Sequence, residues 1–122
     1  SHELRFLLAE TAHILGLRHH KKGNVITIEG PRFSTRAESK MFRSWGADII
    51  NMSTAPECIL ANEMKIPYAA VAVCTDYDSW MEEEHPVTWE EVLRVFHNNV
   101  GNVIRLITAA ILRMRKSDTP EM

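Results

Sequence analysis

Two carboxylates in the second half of the chain, Asp76 and Asp78, have the spacing of a paired acid. In an extended segment, residues two apart point to the same side, so both side chains would face one pocket. Because like charges repel, two such carboxylates favour a neutral acid beside an anion. This pair suits a ligand edge that carries an acceptor next to an amino donor, such as the N7 and 6-amino edge of adenine. The alternative is a solvated acidic loop.

Two other polar segments, residues 29–34 and 51–54, follow predicted strands. In an open α/β sheet, ligands bind beyond the carboxyl ends of the strands. Ser53 and Thr54 precede a predicted helix, so they could offer hydroxyls and backbone N–H groups to an anion. The alternative is that they only cap this helix. Phe33 could stack on a planar ring, or it could pack in the core.

The cysteines and histidines do not indicate a metal site. Cys58 and Cys74 lack the spacing of metal ligands, and their apolar neighbours favour buried thiols in a reducing compartment. His19, His20 and His85 do not form a spaced ligand set, so we interpret them as surface residues.

The composition is that of an ordinary globular domain. The chain has 122 residues, of which 45% are hydrophobic and 25% are charged, with a formal net charge of −2. These values exclude disordered and fibrous classes, and the length suits one domain over residues 1–122. The slight negative charge gives no reason to expect nucleic acid or an anionic membrane as a partner. No apolar run approaches the roughly 20 residues of a membrane span.

Helical and strand patterns alternate along the chain. Apolar spacing predicts an amphipathic helix over residues 2–15, and capping boxes predict helices that begin near Thr35 and Thr88. Pro56 suits the first turn of another helix, which we expect to end near residue 64. Short apolar runs predict three strands, at residues 25–29, 47–52 and 67–75.

This alternation predicts an α/β fold with a largely parallel sheet. The near-continuous apolar run at residues 67–75 is typical of a strand that is covered on both faces. Because the chain begins at Ser1 and directly in a helical pattern, we expect it to be a fragment or a processed piece. The last helix should bury one apolar face, formed by Val92, Phe96, Val100, Val103, Ile107 and Ile111.

Three segments together carry a specific set of motifs: TIEGPRFSTRAE at residues 27–38, WGADIINMS at 45–53 and AVCTDYD at 72–78. In this order they resemble the methylthioadenosine phosphorylases of the purine nucleoside phosphorylase superfamily, and the resemblance extends over residues 4–111. It implies an α/β/α sandwich with a central mixed, largely parallel sheet, of which residues 1–122 form the C-terminal portion of a single domain. The implied activity is the reversible, phosphate-dependent cleavage of 5′-methylthioadenosine to adenine and 5-methylthioribose 1-phosphate, in purine and methionine salvage.

The resemblance also implies roles for individual residues. Asp76 corresponds to the catalytic carboxyl that protonates or hydrogen-bonds purine N7, and Asp78 corresponds to the group that accepts from the 6-amino group. Ser53 stands where the family commonly has threonine, and its hydroxyl would bind phosphate. The base pocket would be formed by Phe33, Ser34, Ile50 and Asn51, with Thr75 in support.

Three further residues would contact the sugar. The backbone of Met52 corresponds to a contact with the ribose hydroxyls, and Trp89 and Val92 correspond to residues that line the pocket for the 5′-substituent. A smaller apolar residue is usual at the position of Trp89. Since a tryptophan fills more of the pocket, selectivity for the methylthio group stays open.

The family resemblance implies neither a metal nor an organic cofactor, with inorganic phosphate as co-substrate. It implies a homotrimer in the cytosol or the nucleus. Relatives carry their Gly-rich phosphate loop and an Arg–His pair in an N-terminal part without a counterpart in residues 1–122, so we expect the chain to act with such a portion. The alternatives are a phosphorylase of 5′-hydroxyl nucleosides and a non-catalytic, purine-binding assembly subunit.

Overall fold

Helices and strands alternate in the computed structural model, which describes residues 1–77 and 88–117, with side chains up to residue 114. Helix α1 begins one residue after Ser1, whose hydroxyl accepts a hydrogen bond from the backbone N–H of Leu4 at 3.2 Å. The elements in chain order are α1 (His2–Ile14), β1 (Val25–Thr27), α2 (Arg36–Ser44), β2 (Ile49–Asn51), α3 (Thr54–Glu63) and α4 (Trp89–Ser117).

Strands β1 and β2 form a parallel two-stranded sheet, with α2 as the crossover between them. The register pairs Ile26 with Ile50 and Thr27 with Asn51. The carboxyl ends of both strands therefore lie side by side, as the alternating pattern predicts. Each strand has three residues, which is shorter than the apolar runs that predicted them.

Two capping boxes fix the starts of helices, and both are confirmed. The Thr35 hydroxyl accepts from the Glu38 N–H at 3.3 Å, and the Glu38 carboxylate accepts from the Thr35 N–H at 2.7 Å. At the start of α4, the Thr88 hydroxyl accepts from the Glu91 N–H at 3.3 Å, and the return bond to the Glu91 carboxylate is 3.1 Å. Each box satisfies donors that the first helical turn would otherwise leave unpaired.

The buried core lies where α1 packs against α4. Ala12 on α1 and both Leu106 and Ala110 on α4 are buried at this contact. Thr11 is also fully buried, and its hydroxyl donates to the Leu7 carbonyl at 2.7 Å. This bond satisfies a polar group that would be costly to bury alone.

The apolar face of α4 is only partly buried. Among the described elements, α4 mainly contacts α1. A single helix covers only part of the apolar face that the sequence predicts for α4. Val92, Val100 and Val103 are half-buried. The expectation of burial is wrong for three residues: Phe96 is 50% exposed, Ile107 is 39% exposed and Ile111 is 52% exposed.

The prediction of a strand at residues 67–75 is wrong. In the structure this segment has no strand conformation and pairs with neither β1 nor β2. A strand needs a hydrogen-bonded neighbour, whereas an apolar run reports only a tendency to be buried. Tyr68 anchors the start of the segment instead. Its carbonyl accepts from the amino group of Ser1, and its hydroxyl donates to the Glu57 carboxylate at 2.6 Å. This bond to an anion raises the pKa of Tyr68 to about 12.

Both cysteines are exposed free thiols, so the prediction of buried thiols is wrong. Cys58 lies on α3, a helix without a buried residue, and Cys74 lies in the unpaired segment before Asp76. Within residues 1–77 and 88–117, no three acidic, histidine or cysteine side chains are grouped as metal ligands. In the same ranges no helix is long and apolar enough to cross a membrane. His20 is exposed, His19 is half-buried, and His85 lies outside the described residues.

Candidate functional site

A hydrogen-bond network joins the carboxyl ends of both strands to the start of α3. The Thr27 hydroxyl donates to Asn51 Oδ1 at 2.9 Å and lies 3.0 Å from the Thr54 hydroxyl. Asn51 Nδ2 donates to the same Thr54 hydroxyl at 2.9 Å. All three side chains are half-buried, so they exchange hydrogen bonds with each other where water has limited access. We call Thr27, Asn51 and Thr54 the strand-end network.

The first N–H groups of α3 are satisfied by this network and not by the residue at the N-cap. Ser53 is the N-cap, but its side chain makes no capping hydrogen bond. Asn51 Oδ1 accepts from the backbone N–H groups of Ser53 and Thr54 at 3.4 Å, and the Thr27 hydroxyl accepts from that of Ala55 at 3.2 Å. The exposed Ser53 hydroxyl is therefore not used for capping. The alternative that Ser53 caps its own helix with its side chain is wrong.

Helix α3 begins at Thr54, two residues earlier than the start inferred from Pro56. Pro56 is then the third residue of the helix, still within the first turn. The missing N–H of proline has no cost there, because the first turn has no intrahelical acceptor to offer. With this early start, only Met52 and Ser53 lie between the end of β2 and the first residue of α3.

Gly30 and Met52 bring the loop after β1 against the end of β2. Gly30 has φ +71°, and a Cβ at this position would lie 2.6 Å from the sulfur of Met52. The positive φ favours glycine, and a Cβ at this position would make the flexible side chain of Met52 shift. Met52 is 37% exposed, so part of its surface faces outward beyond the strand ends.

An open cavity of about 320 Å³ lies between this loop and α2, and Gly30, Ser34 and Phe42 contribute to its wall. Phe33 lies in the same loop with its side chain 68% exposed, so the alternative of core packing is wrong. The ring is accessible for stacking on a planar group. Two of the residues predicted for the base pocket, Phe33 and Ser34, thus belong to one loop.

An ion pair fixes this loop to α2. The two terminal nitrogens of Arg32 donate to the two carboxylate oxygens of Glu38 at 2.8 and 2.7 Å, and one of them also donates to the Phe33 carbonyl at 3.0 Å. The Arg32 hydrogen bonds, followed by those from Thr35, hold the pKa of Glu38 far below its usual range. The hydrogen bond to Glu38 in turn raises the pKa of Arg32. The backbone of Phe33 is thereby tied to the start of α2.

Asp76 is exposed and accepts a hydrogen bond from the half-buried Thr75 hydroxyl at 2.6 Å. This bond orients one carboxylate oxygen of Asp76, and the supporting role of Thr75 in the base site stays a prediction. Asp78 lies outside the described residues, so its pairing with Asp76 stays a prediction.

The remaining predicted residues lie on other elements. Ile50 is half-buried in the centre of β2, opposite Ile26. Trp89 is the first residue of α4 and is 64% exposed, and Val92 is half-buried one turn later. Because the main described contact of α4 is with α1, the structure does not bring Trp89 and Val92 together with the strand-end residues.

Two residues of this site were missed at the sequence level. Thr27 was interpreted only as part of a strand, and Gly30 only as the residue that ends it. A polar residue within a short apolar run was the signal for Thr27, but its position opposite Asn51 follows only from the register of the sheet. No comparable signal pointed to the contact between Gly30 and Met52, which depends on the path of the loop.

A parallel βαβ unit with polar residues at the carboxyl ends of its strands is typical of α/β proteins that bind ligands at this edge of the sheet. A sequence profile of the phosphorylase superfamily matches residues 1–112. The chain belongs to this superfamily.

Curated relatives make the similarity more specific. The chain is 48% identical over 118 residues to an S-methyl-5′-thioadenosine phosphorylase of Xenopus tropicalis, covering 97% of this chain and 42% of the relative. It is 50% identical over 116 residues to one of Caenorhabditis elegans, covering 95% of this chain and 40% of the relative. The chain thus spans about two fifths of the length of the curated relatives that it matches.

Solved structures show the same fold. Methylthioadenosine phosphorylase from Schistosoma mansoni in complex with adenine superposes with a TM-score of 0.85 at 33% identity, over 93% of this chain and 46% of that one. The complex of the same enzyme with tubercidin gives a TM-score of 0.86 at 32% identity, and the match covers 95% of this chain and 45% of that one. The α/β fold of the nucleoside phosphorylases, incomplete in this chain, is therefore confirmed, as is the family resemblance.

Proposed function

We propose that the complete protein catalyses the reversible phosphorolysis of 5′-methylthioadenosine to adenine and 5-methylthioribose 1-phosphate. The observation that carries the proposal is the strand-end arrangement, in which α3 is capped by Thr27 and Asn51 while the Ser53 hydroxyl is not used for capping. The names of the relatives and the adenine bound in a similar solved structure support the choice of substrate. This chain would carry the purine and ribose part of the site.

The chemistry would begin with phosphate at Ser53. Its hydroxyl would donate to a phosphate oxygen, and the positive end of the α3 dipole would favour the anion. A phosphate oxygen then bonds to C1′ of the sugar as the bond from C1′ to N9 breaks. The bonding electrons move into the purine, so C1′ gains oxocarbenium character during the transfer.

Asp76 would assist the departure of the base. A proton or a strong hydrogen bond from its carboxyl group to N7 compensates the charge that develops on adenine, which makes adenine a better leaving group. The Thr75 hydroxyl orients this carboxyl through Oδ1. Asp78 would accept from the 6-amino group, and a 6-oxo purine would instead meet a carboxylate with its carbonyl oxygen.

The other predicted residues would hold the substrate. Phe33 would stack on the base, with Ser34, Ile50 and Asn51 around it, and the backbone of Met52 would contact the ribose hydroxyls. Trp89 and Val92 would line the 5′-substituent pocket once the rest of the protein is in place. The exposure of Phe33 and Met52 supports their accessibility to a ligand.

The proposal includes the remaining expectations for the whole protein. An N-terminal portion would supply the phosphate loop, the assembly would be a homotrimer in the cytosol or nucleus, and no metal or organic cofactor would take part. The coverage of relatives, near 40% of their length, and the exposed apolar side chains of α1, α3 and α4 support a need for additional protein.

A substrate panel tests the proposal on the complete protein, with and without phosphate. We expect 5′-methylthioadenosine to be cleaved more efficiently than adenosine, inosine to be a poor substrate, and all cleavage to require phosphate. A higher kcat/KM for adenosine would instead support a phosphorylase of 5′-hydroxyl nucleosides. Purine binding without any cleavage would support an assembly subunit and would overturn the proposal.

A further inference from the structure

Thr27 occupies the centre of the strand-end network, although its position in β1 predicts only a structural role. Its hydroxyl is in hydrogen-bond range of three groups on β2 and α3: it donates to Asn51 Oδ1 at 2.9 Å, lies 3.0 Å from the Thr54 hydroxyl, and accepts from the Ala55 N–H at 3.2 Å. One side chain of β1 therefore connects the neighbouring strand with the first turn of the next helix.

The bond to Ala55 has a specific consequence at the start of α3. The first-turn N–H groups of a helix lack intrahelical acceptors, and an N-cap serine ordinarily supplies one through its own hydroxyl. Here the N-cap Ser53 makes no such bond, because acceptors from Thr27 and Asn51 satisfy the first three N–H groups of the segment. Thr27 performs the capping from a different strand.

We propose that Thr27 is a positioning residue for phosphate, which acts by keeping the Ser53 hydroxyl free for the anion. This inference rests on the proposed function, in which Ser53 binds phosphate. Without the Thr27 hydroxyl, the N–H of Ala55 loses its acceptor. Ala55 is the second residue of α3, and the N–H at this position is one that an N-cap serine such as Ser53 ordinarily bonds with its own hydroxyl. A Ser53 hydroxyl that caps its own helix is held by α3, and its orientation toward phosphate is lost.

The test is a pair of variants in the complete protein, assayed for adenine release from 5′-methylthioadenosine. Thr27→Val keeps the shape of the side chain and removes the hydroxyl, whereas Thr27→Ser keeps the hydroxyl. We expect Thr27→Val to raise the KM for phosphate roughly five- to tenfold, the scale of one lost hydrogen bond, with the KM for the nucleoside changed less than about twofold. Thr27→Ser should restore the KM for phosphate.

A general structural role would give a different result. If Thr27→Val leaves the KM for phosphate unchanged, or raises both KM values equally, the inference is wrong while the phosphorolysis by the wild type still stands. Absence of phosphate-dependent cleavage by the wild type would overturn the proposed function and this inference together. If Thr27→Val folds poorly, Thr27→Ala replaces it, since alanine also lacks the hydroxyl and is smaller.

Discussion

Individual hydroxyl groups decide which polar atoms of this site are free to act. The hydroxyls of Thr27 and Thr54 are engaged in the strand-end network, and that of Thr75 is engaged with Asp76, whereas Ser53 makes no capping bond. The residue types alone do not distinguish these cases. At this scale, the assignment of roles depends on hydrogen-bond partners that only the register of the sheet and the start of α3 determine.

Asp76→Asn tests the general acid. An amide oxygen can still accept the Thr75 hydroxyl, but the amide cannot donate an acidic proton to N7, so we expect kcat to fall by roughly 10²- to 10⁴-fold. The melting temperature should not change, because Asp76 is exposed. Asp48→Asn is the matched control, since Asp48 is also exposed and accepts from the Asn24 N–H at 2.7 Å, and the kcat of this variant should stay near the wild-type value. A near-wild-type kcat for Asp76→Asn would exclude this role.

Gly30→Ala tests the contact between Gly30 and Met52. Gly16 provides a control with almost the same backbone, φ +67° against +71°, but with no atom within 4 Å of an added Cβ. Both alanine variants should lose about 1–2 kcal/mol from the strained backbone. We expect Gly30→Ala alone to displace Met52 and raise the KM for the nucleoside in the complete protein. If the KM for the nucleoside is the same in both variants, the contact between Gly30 and Met52 does not position Met52 for the ribose.

At the scale of elements, the Arg32–Glu38 pair and the Thr35 cap make one unit of the Phe33 loop and α2. The capping boxes were predictable because they depend on residues three apart. The prediction of a strand at residues 67–75 was wrong, because its apolar pattern indicates burial, whereas a strand requires a hydrogen-bonded neighbour that the described elements do not provide. Sequence periodicity thus identified the helices and the two paired strands, but neither the strand lengths nor the side chains of α4 that stay exposed.

The pH dependence of unfolding tests this unit. The folded-state pKa of Glu38 lies below its pKa in the unfolded chain, which is about 4.3. The carboxylate therefore contributes its full stabilisation above about pH 4.3, and this contribution is lost as the pH falls toward the folded-state pKa. We expect the wild type to lose more stability between about pH 5 and pH 3 than Glu38→Gln, which has no carboxylate to protonate. Thermal unfolding across this range measures the difference, and added salt should reduce it because the pair is partly exposed. Parallel pH profiles of the two proteins would contradict the role of the ion pair.

At the scale of the whole molecule, the described residues form a small α1–α4 core and a two-stranded sheet with many exposed apolar side chains. Phe6 and Ile14 on α1 are 61% and 66% exposed, and Leu60 on α3 is 61% exposed. Large apolar side chains that stay in water gain free energy when further protein covers them. The motifs identified the family from the sequence, whereas the exposure of these side chains could not be predicted, because periodicity shows which face of a helix is apolar but not what packs against it.

The most direct test combines an intact mass with an assay on the same sample of the complete protein. The assay follows adenine release from 5′-methylthioadenosine in the presence and absence of phosphate and identifies the sugar product. We predict release that requires phosphate and yields 5-methylthioribose 1-phosphate, from a sample that contains polypeptide beyond these 122 residues. Release that does not require phosphate, or no release at all, would contradict the proposed phosphorolysis.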